Sequence, residues 1–385
     1  MARRPQKFRN GRHNMDYVLL VVVLFLVCFG LLMIYSASSY EAGVDMEDPA
    51  YYLRKQALAT ALGIVALFFV SKIPYKFWQR FDFIALAVSI ILIFLLLTPL
   101  GVTRNGATRW IDLKIGLTLQ PAEVAKIGII IYLASMIQRI EELGKNILRT
   151  PKGLAILMTP PVVVAGLIYI ISSNLSSAII IVGIAVAMLF VAVPDYKWFI
   201  IIGVVGLAAV AAIVFYAAGP GATGEGSFRL GRVRAWLDPE SYSTDKAFQT
   251  LQALYAIGSG GLWGKGLGQS MQKRKFLPEA QNDMIFSIIC EELGLFGAVT
   301  IILLFVVLIW SCMIVANKTT DRFGSLLVVG VMAHYAIQVI LNIAVVTNTI
   351  PNTGITLPFI SYGGTSSLFL LAEIGIVLNV SKKCK

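Results

Sequence analysis

Charge is what this 385-residue sequence has least of: Lys, Arg, Asp and Glu make up 14% of it, against 57% hydrophobic residues. A water-soluble globular chain carries about a quarter charged residues, and a disordered chain lacks large apolar runs, so both classes are excluded. Apolar–polar alternation over ~10-residue segments is missing too, which excludes a membrane β-barrel and leaves a helical membrane bundle. Only two histidines occur, His13 and His334, so a histidine-built metal cluster is excluded. The four cysteines, Cys28, Cys290, Cys312 and Cys384, sit in apolar runs or at the extreme end, and no polar segment carries a pair to staple.

What is present is a succession of long apolar spans at about 17–38, 56–71, 83–99, 121–138, 154–172, 175–193, 198–217, 284–315, 325–347 and 359–380, each close to the ~20 residues a membrane helix needs. The expected architecture is therefore an all-α integral membrane protein of ten transmembrane helices in one polytopic domain. The first run, Tyr17 to Ile34, exceeds the ~7–15 residues of a signal-peptide core and reads as a retained helix. Ten crossings put both termini on one side, and the positive-inside rule names it. A basic tail over residues 1–16, Lys72, Lys76, Arg80, Arg139, Lys145, Arg149, Lys152, Lys197, Lys318, Arg322 and the tail at 381–385 fall on the N-terminal side. The short joints opposite hold only Arg54, Lys55, Arg104, Arg109 and Lys114, so both termini are expected in the cytoplasm.

Residues 218–283, between the seventh and eighth spans, form a large extracellular segment, long enough to escape the charge rule. It holds Arg229, Arg232, Arg234, Lys246, Lys265, Lys273, Arg274 and Lys275 among Phe228, Trp236, Phe248, Trp263 and Phe276. Two readings stand: a solvated loop, or a surface for a lipid-borne anion such as a pyrophosphate. The Gly-rich run 258–268 lacks the strand–helix frame of a nucleotide loop and reads as a re-entrant or surface turn.

Charges inside the spans are expensive and mark candidate sites. Glu123 and Lys126, three apart near the outer end of the fourth span, share a helix face as a structural ion pair or a cavity lining. Asp283 stands at the mouth of the eighth span, as a helix cap or a functional acid. Ser287 and Glu291 follow at four-residue steps, a polar stripe of about 12 Å that suggests a wet cavity. Glu292 points the opposite way, toward a neighbouring helix. His334 and Asn342 lie in the ninth span and Glu373 in the tenth.

Several motifs occur in a fixed order: Ile34-Tyr35-Ser36-Ala37-Ser38, Arg109-Trp110-Ile111, Gln120-Pro121-Ala122-Glu123-Val124-Ala125-Lys126, Gln252 through Gly261, Leu277-Pro278-Glu279-Ala280 ahead of Asp283, and Pro358-Phe359-Ile360-Ser361-Tyr362-Gly363-Gly364. Over nearly the whole chain this resembles the SEDS family, the shape, elongation, division and sporulation proteins, and its division and sporulation branch (FtsW and SpoVE) more than the RodA branch. The resemblance implies a peptidoglycan glycosyltransferase that polymerises lipid II on the outer face of the bacterial cytoplasmic membrane. It implies as partners a class B penicillin-binding protein, other divisome membrane proteins and the lipid bilayer, with no nucleic acid. Carried over by residue, the family's essential acid falls on Asp283, its Glu and Lys on Glu123 and Lys126, and its loop tryptophan on Trp110. The chain departs from the family pattern at Asn282-Asp283-Met284 and at Ser173-Asn174-Leu175-Ser176-Ser177, where the family commonly has Thr-Asp-Phe and Pro-Asp-Leu-Gly-Thr.

Such a transfer needs a base for an attacking sugar hydroxyl, and cations or a divalent metal, magnesium or manganese, for the departing pyrophosphate. Asp283 is the expected base, Arg109, Lys126, Arg232 and Arg234 the candidate cations, and Glu291 a further substrate-binding candidate. The α link in the donor and β link in the product imply inversion by single displacement. A lipid II flippase and a non-catalytic divisome scaffold are the rival classes: the first would depend on charges near mid-membrane, the second only on its surface.

Overall fold

The computed structural model describes residues 15–104, 106–113, 118–144, 148, 150–193, 195–218, 228–241 and 247–383. The basic tail up to residue 14, Lys114, Lys145, Arg149, Lys246, Cys384 and Lys385 lie outside the described residues, as do the side chains of Arg104, Phe228 and Arg229. Among the described residues thirteen helices and three short strands follow in order: α1 (Tyr17–Asp45), α2 (Tyr51–Val70), α3 (Lys76–Gln79), α4 (Asp82–Leu95), β1 (Gly101–Arg104), β2 (Ala107–Asp112), β3 (Thr118–Leu119), α5 (Pro121–Leu143), α6 (Pro151–Ser172), α7 (Leu175–Ala192), α8 (Lys197–Ala218), α9 (Phe228–Leu237), α10 (Phe248–Gly260), α11 (Ile285–Lys318), α12 (Arg322–Val346) and α13 (Thr365–Ser381).

The ends of these helices are written in the local sequence. Asp16, Thr150, Asn174 and Asp321 accept from backbone N–H groups that open α1, α6, α7 and α12 and have no partner inside their helices. Pro121 and Pro151 occupy first turns, where a missing N–H costs nothing. Eight helices among the described residues are long and apolar enough to cross a membrane, and α4 and α13 are shorter apolar ones. The exterior is itself apolar, with Phe25, Phe69, Leu97, Ile170, Leu207 and Phe215 exposed, a surface stable against lipid and not against water. The core runs through α1, α5, α7, α11, α12 and α13. Gly63 on α2 and Gly375 on α13 let these two helices close on each other: a Cβ on Gly375 would stand 2.6 Å from the Leu67 carbonyl oxygen. Asp16 N–H donates to Ser381 Oγ at 3.2 Å, so both ends of the described bundle meet at one face. Arg139–Asp82 and Arg322–Glu141, each at 2.8 Å, are pairs in the α4–α5 and α5–α12 contacts.

Four expectations change. The third span stops at Leu95, and the chain then forms an antiparallel sheet in the order β1-β2-β3, whose strands are too short to leave a period in the sequence. The tenth helix starts at Thr365 rather than 359, because Phe359 and Gly364 take positive φ in a tight turn. Residues 218–283 are not one loop but carry α9 and α10. Finally, α11 is broken at Gly294, whose φ of 66° ends the helical run and restarts it. The Glu291 and Glu292 carbonyls left over there accept from Lys265 and Gly266 N–H at 2.9 Å, which straps the Gly-rich turn to the break.

Candidate active site

Asp283 sits one residue before the cap of α11. That cap is Met284 and carries no side-chain bond, so the carboxylate is not spent on the helix end. Its main-chain carbonyl accepts from Asn342 Nδ2 of α12 at 2.8 Å, and the same amide donates to the Ile355 carbonyl at 2.7 Å. One buried asparagine thus fixes both the approach to α11 and the segment between α12 and α13. The carboxylate is only 8% exposed, and Oδ1 accepts from Gln249 Nε2 of α10 at 3.4 Å. Burial, reinforced by the negative Glu279, pushes its pKa up from 3.8 to about 7, against the smaller pulls of its own backbone N–H, Arg232 and Gln249. A carboxyl poised there takes a proton from a weak acid near neutral pH more readily than an exposed aspartate does.

One guanidinium, that of Arg232, acts on it through its charge, and a second, that of Arg109, lies within reach of Arg232. Arg232 on α9 donates from Nη1 to the Asn352 carbonyl at 3.3 Å, and Arg109 on β2 donates from Nη2 to the Ser173 carbonyl at 3.3 Å. Burial, with the Arg232 charge second, pushes the Arg109 guanidinium below its ordinary range, so the two cations lie within electrostatic reach of each other. Arg109 Nε is buried with no hydrogen-bond partner among the described residues, a donor left for a ligand. Two cations within reach of each other, with a spare donor and a base on which one of them acts, suit a doubly charged leaving group. The Trp236 indole N–H donates to the Asn348 carbonyl at 2.9 Å, and Ser176 Oγ donates to the Thr353 carbonyl, so the 347–357 segment is held over the site from α9 and α7 as well.

The other predicted residues fall elsewhere. Trp110 follows Arg109 on β2, where successive side chains leave on opposite faces, and pairs in register with Val102. Arg234, two residues past Arg232 on a helix, turns about 200° away from it. Glu123 and Lys126 form their ion pair inside α5 at 2.7 Å, with side chains 7% and 2% exposed, and Glu123 Oε2 has no further hydrogen bond among the described residues. The stripe from Asp283 does not stay together. Ser287 Oγ turns back to the Met284 carbonyl. Glu291 is taken up by Lys265 Nζ at 2.7 Å, Met271 N–H at 3.0 Å and Ser270 Oγ, tying the 265–272 turn to α11. Glu292 reaches Ser36 of α1 and Lys273, in keeping with the opposite face predicted for it. His334 Nδ1 meets Glu373 at 2.9 Å, joining α12 to α13 deep in the bundle. Sequence reasoning missed Gln249 and Asn352: both are neutral, and only the fold brings them to Asp283.

Among the described residues no group of three or more His, Cys, Asp or Glu could hold a metal ion. The groups acting on Asp283 are the carboxylate of Glu279, the guanidinium of Arg232 and the amide of Gln249, and the chemistry below uses the chain's own groups.

A family model for FtsW, RodA and SpoVE, described as a cell cycle protein, matches residues 16–385. The chain is 37% identical over 372 residues to stage V sporulation protein E of Bacillus subtilis, covering 95% of this chain and 97% of that one. It is 37% identical over 371 residues to the probable peptidoglycan glycosyltransferase FtsW of Trichlorobacter lovleyi, covering 96% and 94%. Its fold matches a chain from a structure described as coordinating polymerization and crosslinking in a peptidoglycan synthase complex, with a TM-score of 0.74, 24% identity and coverage of 95% and 97%. The rod shape determining protein RodA of Thermus thermophilus matches with a TM-score of 0.67, 25% identity and coverage of 95% and 96%.

Proposed function

The chain belongs to the FtsW, RodA and SpoVE family of cell cycle proteins and is a multi-pass membrane peptidoglycan glycosyltransferase, and from that premise we propose how its residues carry the reaction. Asp283 is the general base. It removes the proton from the attacking 4-hydroxyl of one lipid-linked sugar as that oxygen bonds to the anomeric carbon of the other. The carbon–oxygen bond to undecaprenyl diphosphate breaks in the same step, with inversion, and Arg232 and Arg109 take the negative charge that develops on the diphosphate. The observation that carries this reading is a buried carboxyl, its pKa raised to about 7, within reach of the Arg232 charge of α9, which in turn acts on Arg109 of β2.

The substrate is lipid II in the outer leaflet of the cytoplasmic membrane, and α4 and α13 join the eight long helices to make ten crossings with both ends in the cytoplasm. The meeting of Asp16 with Ser381 supports the even number, and the excess of Lys and Arg on that side supports the orientation. A class B penicillin-binding protein crosslinks the product, in division or sporulation. The fold shared with a component of a peptidoglycan synthase complex supports a partner of this kind. The test is purified, detergent-solubilised protein with that partner, lipid II and a divalent cation. Detergent abolishes sidedness, so glycan polymer is the expected product of a transferase. Inert protein that nevertheless speeds lipid II across sealed vesicles would replace the transferase with a flippase.

A further inference from the structure

The contacts that end on Asp283 run through a residue that neither the charge pattern nor the motifs single out. Gln249 donates from Nε2 to Asp283 Oδ1 at 3.4 Å and to the Pro278 carbonyl at 3.2 Å, while its Oε1 accepts from Asn352 Nδ2 at 2.8 Å. Together these bonds fix which way the amide faces. Turned over, it would set Oε1 against a carbonyl and a carboxylate, and its own NH2 against that of Asn352. Asn352 is fixed in turn, because its Oδ1 accepts from Gly354 N–H at 3.0 Å and its main-chain carbonyl accepts from Arg232. Donation therefore runs in one sense, from Asn352 to Gln249 to Asp283. Arg232, whose charge acts on the base, holds the start of the chain.

We propose that Gln249 is a positioning residue for the glycosyl transfer: oriented by Asn352, its amide aims Asp283 Oδ1 and favours the ionised carboxylate that accepts the sugar hydroxyl proton. This rests on Asp283 being the base. The charged groups facing Asp283 are Glu279, from the segment leading into α11, which opposes ionisation, and Arg232 of α9, which favours it. The neighbours from α12 and the 347–357 segment, Asn342 and Gly354, are neutral. Gln249 thus works with the backbone N–H of Asp283 and with Arg232 against burial and Glu279, and does so without adding a charge that would compete for the diphosphate.

The experiment is the pH dependence of lipid II polymerisation by the full chain with its class B partner, comparing wild type with Gln249→Leu and Gln249→Glu. Leu keeps the bulk of the side chain and removes every hydrogen bond. Glu keeps the shape and the bond from Asn352 but has no proton to give Asp283. A bond to a charged group is worth about one pH unit here, so Gln249→Leu should move the acid limb of kcat upward by about one unit. That is about a tenfold loss of turnover at pH 6 and less than about twofold at pH 9, with KM for lipid II nearly unchanged. Gln249→Glu should move the limb further in the same direction. A uniform loss at all pH values, or an unmoved limb in both variants, overturns the proposal, because a residue that only holds loops together does not shift a titration. Asp283→Asn run alongside separates the two assignments: if it is inactive at every pH while the Gln249 limbs stay put, only the positioning role fails. If it retains turnover, the base assignment fails with it.

Discussion

Replacing Asp283 with Asn separates the chemical role of a buried carboxylate from its cost to the fold. The pKa of about 7 in place of 3.8 means that ionising this group inside the protein is unfavourable by about 4 kcal/mol, at 1.36 kcal/mol per unit. The sign follows from proton binding. Between pH 3.8 and about 7 the native state keeps a proton that the unfolded chain has lost, so stability falls as pH rises through that window and stays reduced above it. Asn has nearly the same shape, can still accept from Gln249 and cannot ionise. Purified Asp283→Asn should therefore resist thermal unfolding in detergent better than wild type, by a margin that grows from pH 5 to about pH 7 and then levels off at up to about 4 kcal/mol. The same variant should lose polymerisation of lipid II by about 10²–10⁴-fold, the usual contribution of a general base. Gain of stability with loss of activity is the signature of a strained functional carboxylate. Near-normal turnover, or a stability margin that is the same at pH 5 and pH 9, would refute the reasoning.

The ion pair within α5 should show coupling: Glu123→Gln or Lys126→Met alone strands a buried charge and should destabilise by about 3–5 kcal/mol, while the double variant costs less than the sum, as read from melting in a double-mutant cycle. Strict additivity would show that the two side chains act separately. Glu291→Gln should loosen the turn that Glu291 ties down, speeding hydrogen exchange at the amides of Met271 and Gln272 while leaving the pH profile set by Asp283 in place. A pH limb displaced by Glu291→Gln would restore Glu291 to the site.

Much of this protein is decided by composition and order along the chain. Apolar runs of membrane length can satisfy their backbone groups in lipid only as helices, so the bundle follows from Tyr17 onward without reference to any tertiary contact. The helix starts at Asp16, Thr150, Asn174 and Asp321 are equally local, each a side chain bonding an N–H three residues on. Asp283 is legible in the local sequence only as a helix cap or a functional acid, and the order of motifs along the chain is what singles it out as the expected base. Its surroundings are not legible. Gln249 and Asn352 lie 34 and 69 residues from it in sequence, Asn352 reaching it only through Gln249, and they are neutral amides that no charge or period distinguishes, while Asn342 stands out as a polar residue in an apolar span but without sign of what it holds. The same holds for Arg109 and Arg232, on a strand and a helix far apart in the chain, whose charges come within reach of each other only in the fold. Glu291 shows the converse. Its four-residue spacing from Ser287 places it on the face of Asp283, yet the break at Gly294 draws the 265–272 turn onto it, and four donors of that turn occupy its carboxylate. Helical spacing settles which face a side chain leaves from, and the packing of segments distant in sequence settles what it meets there.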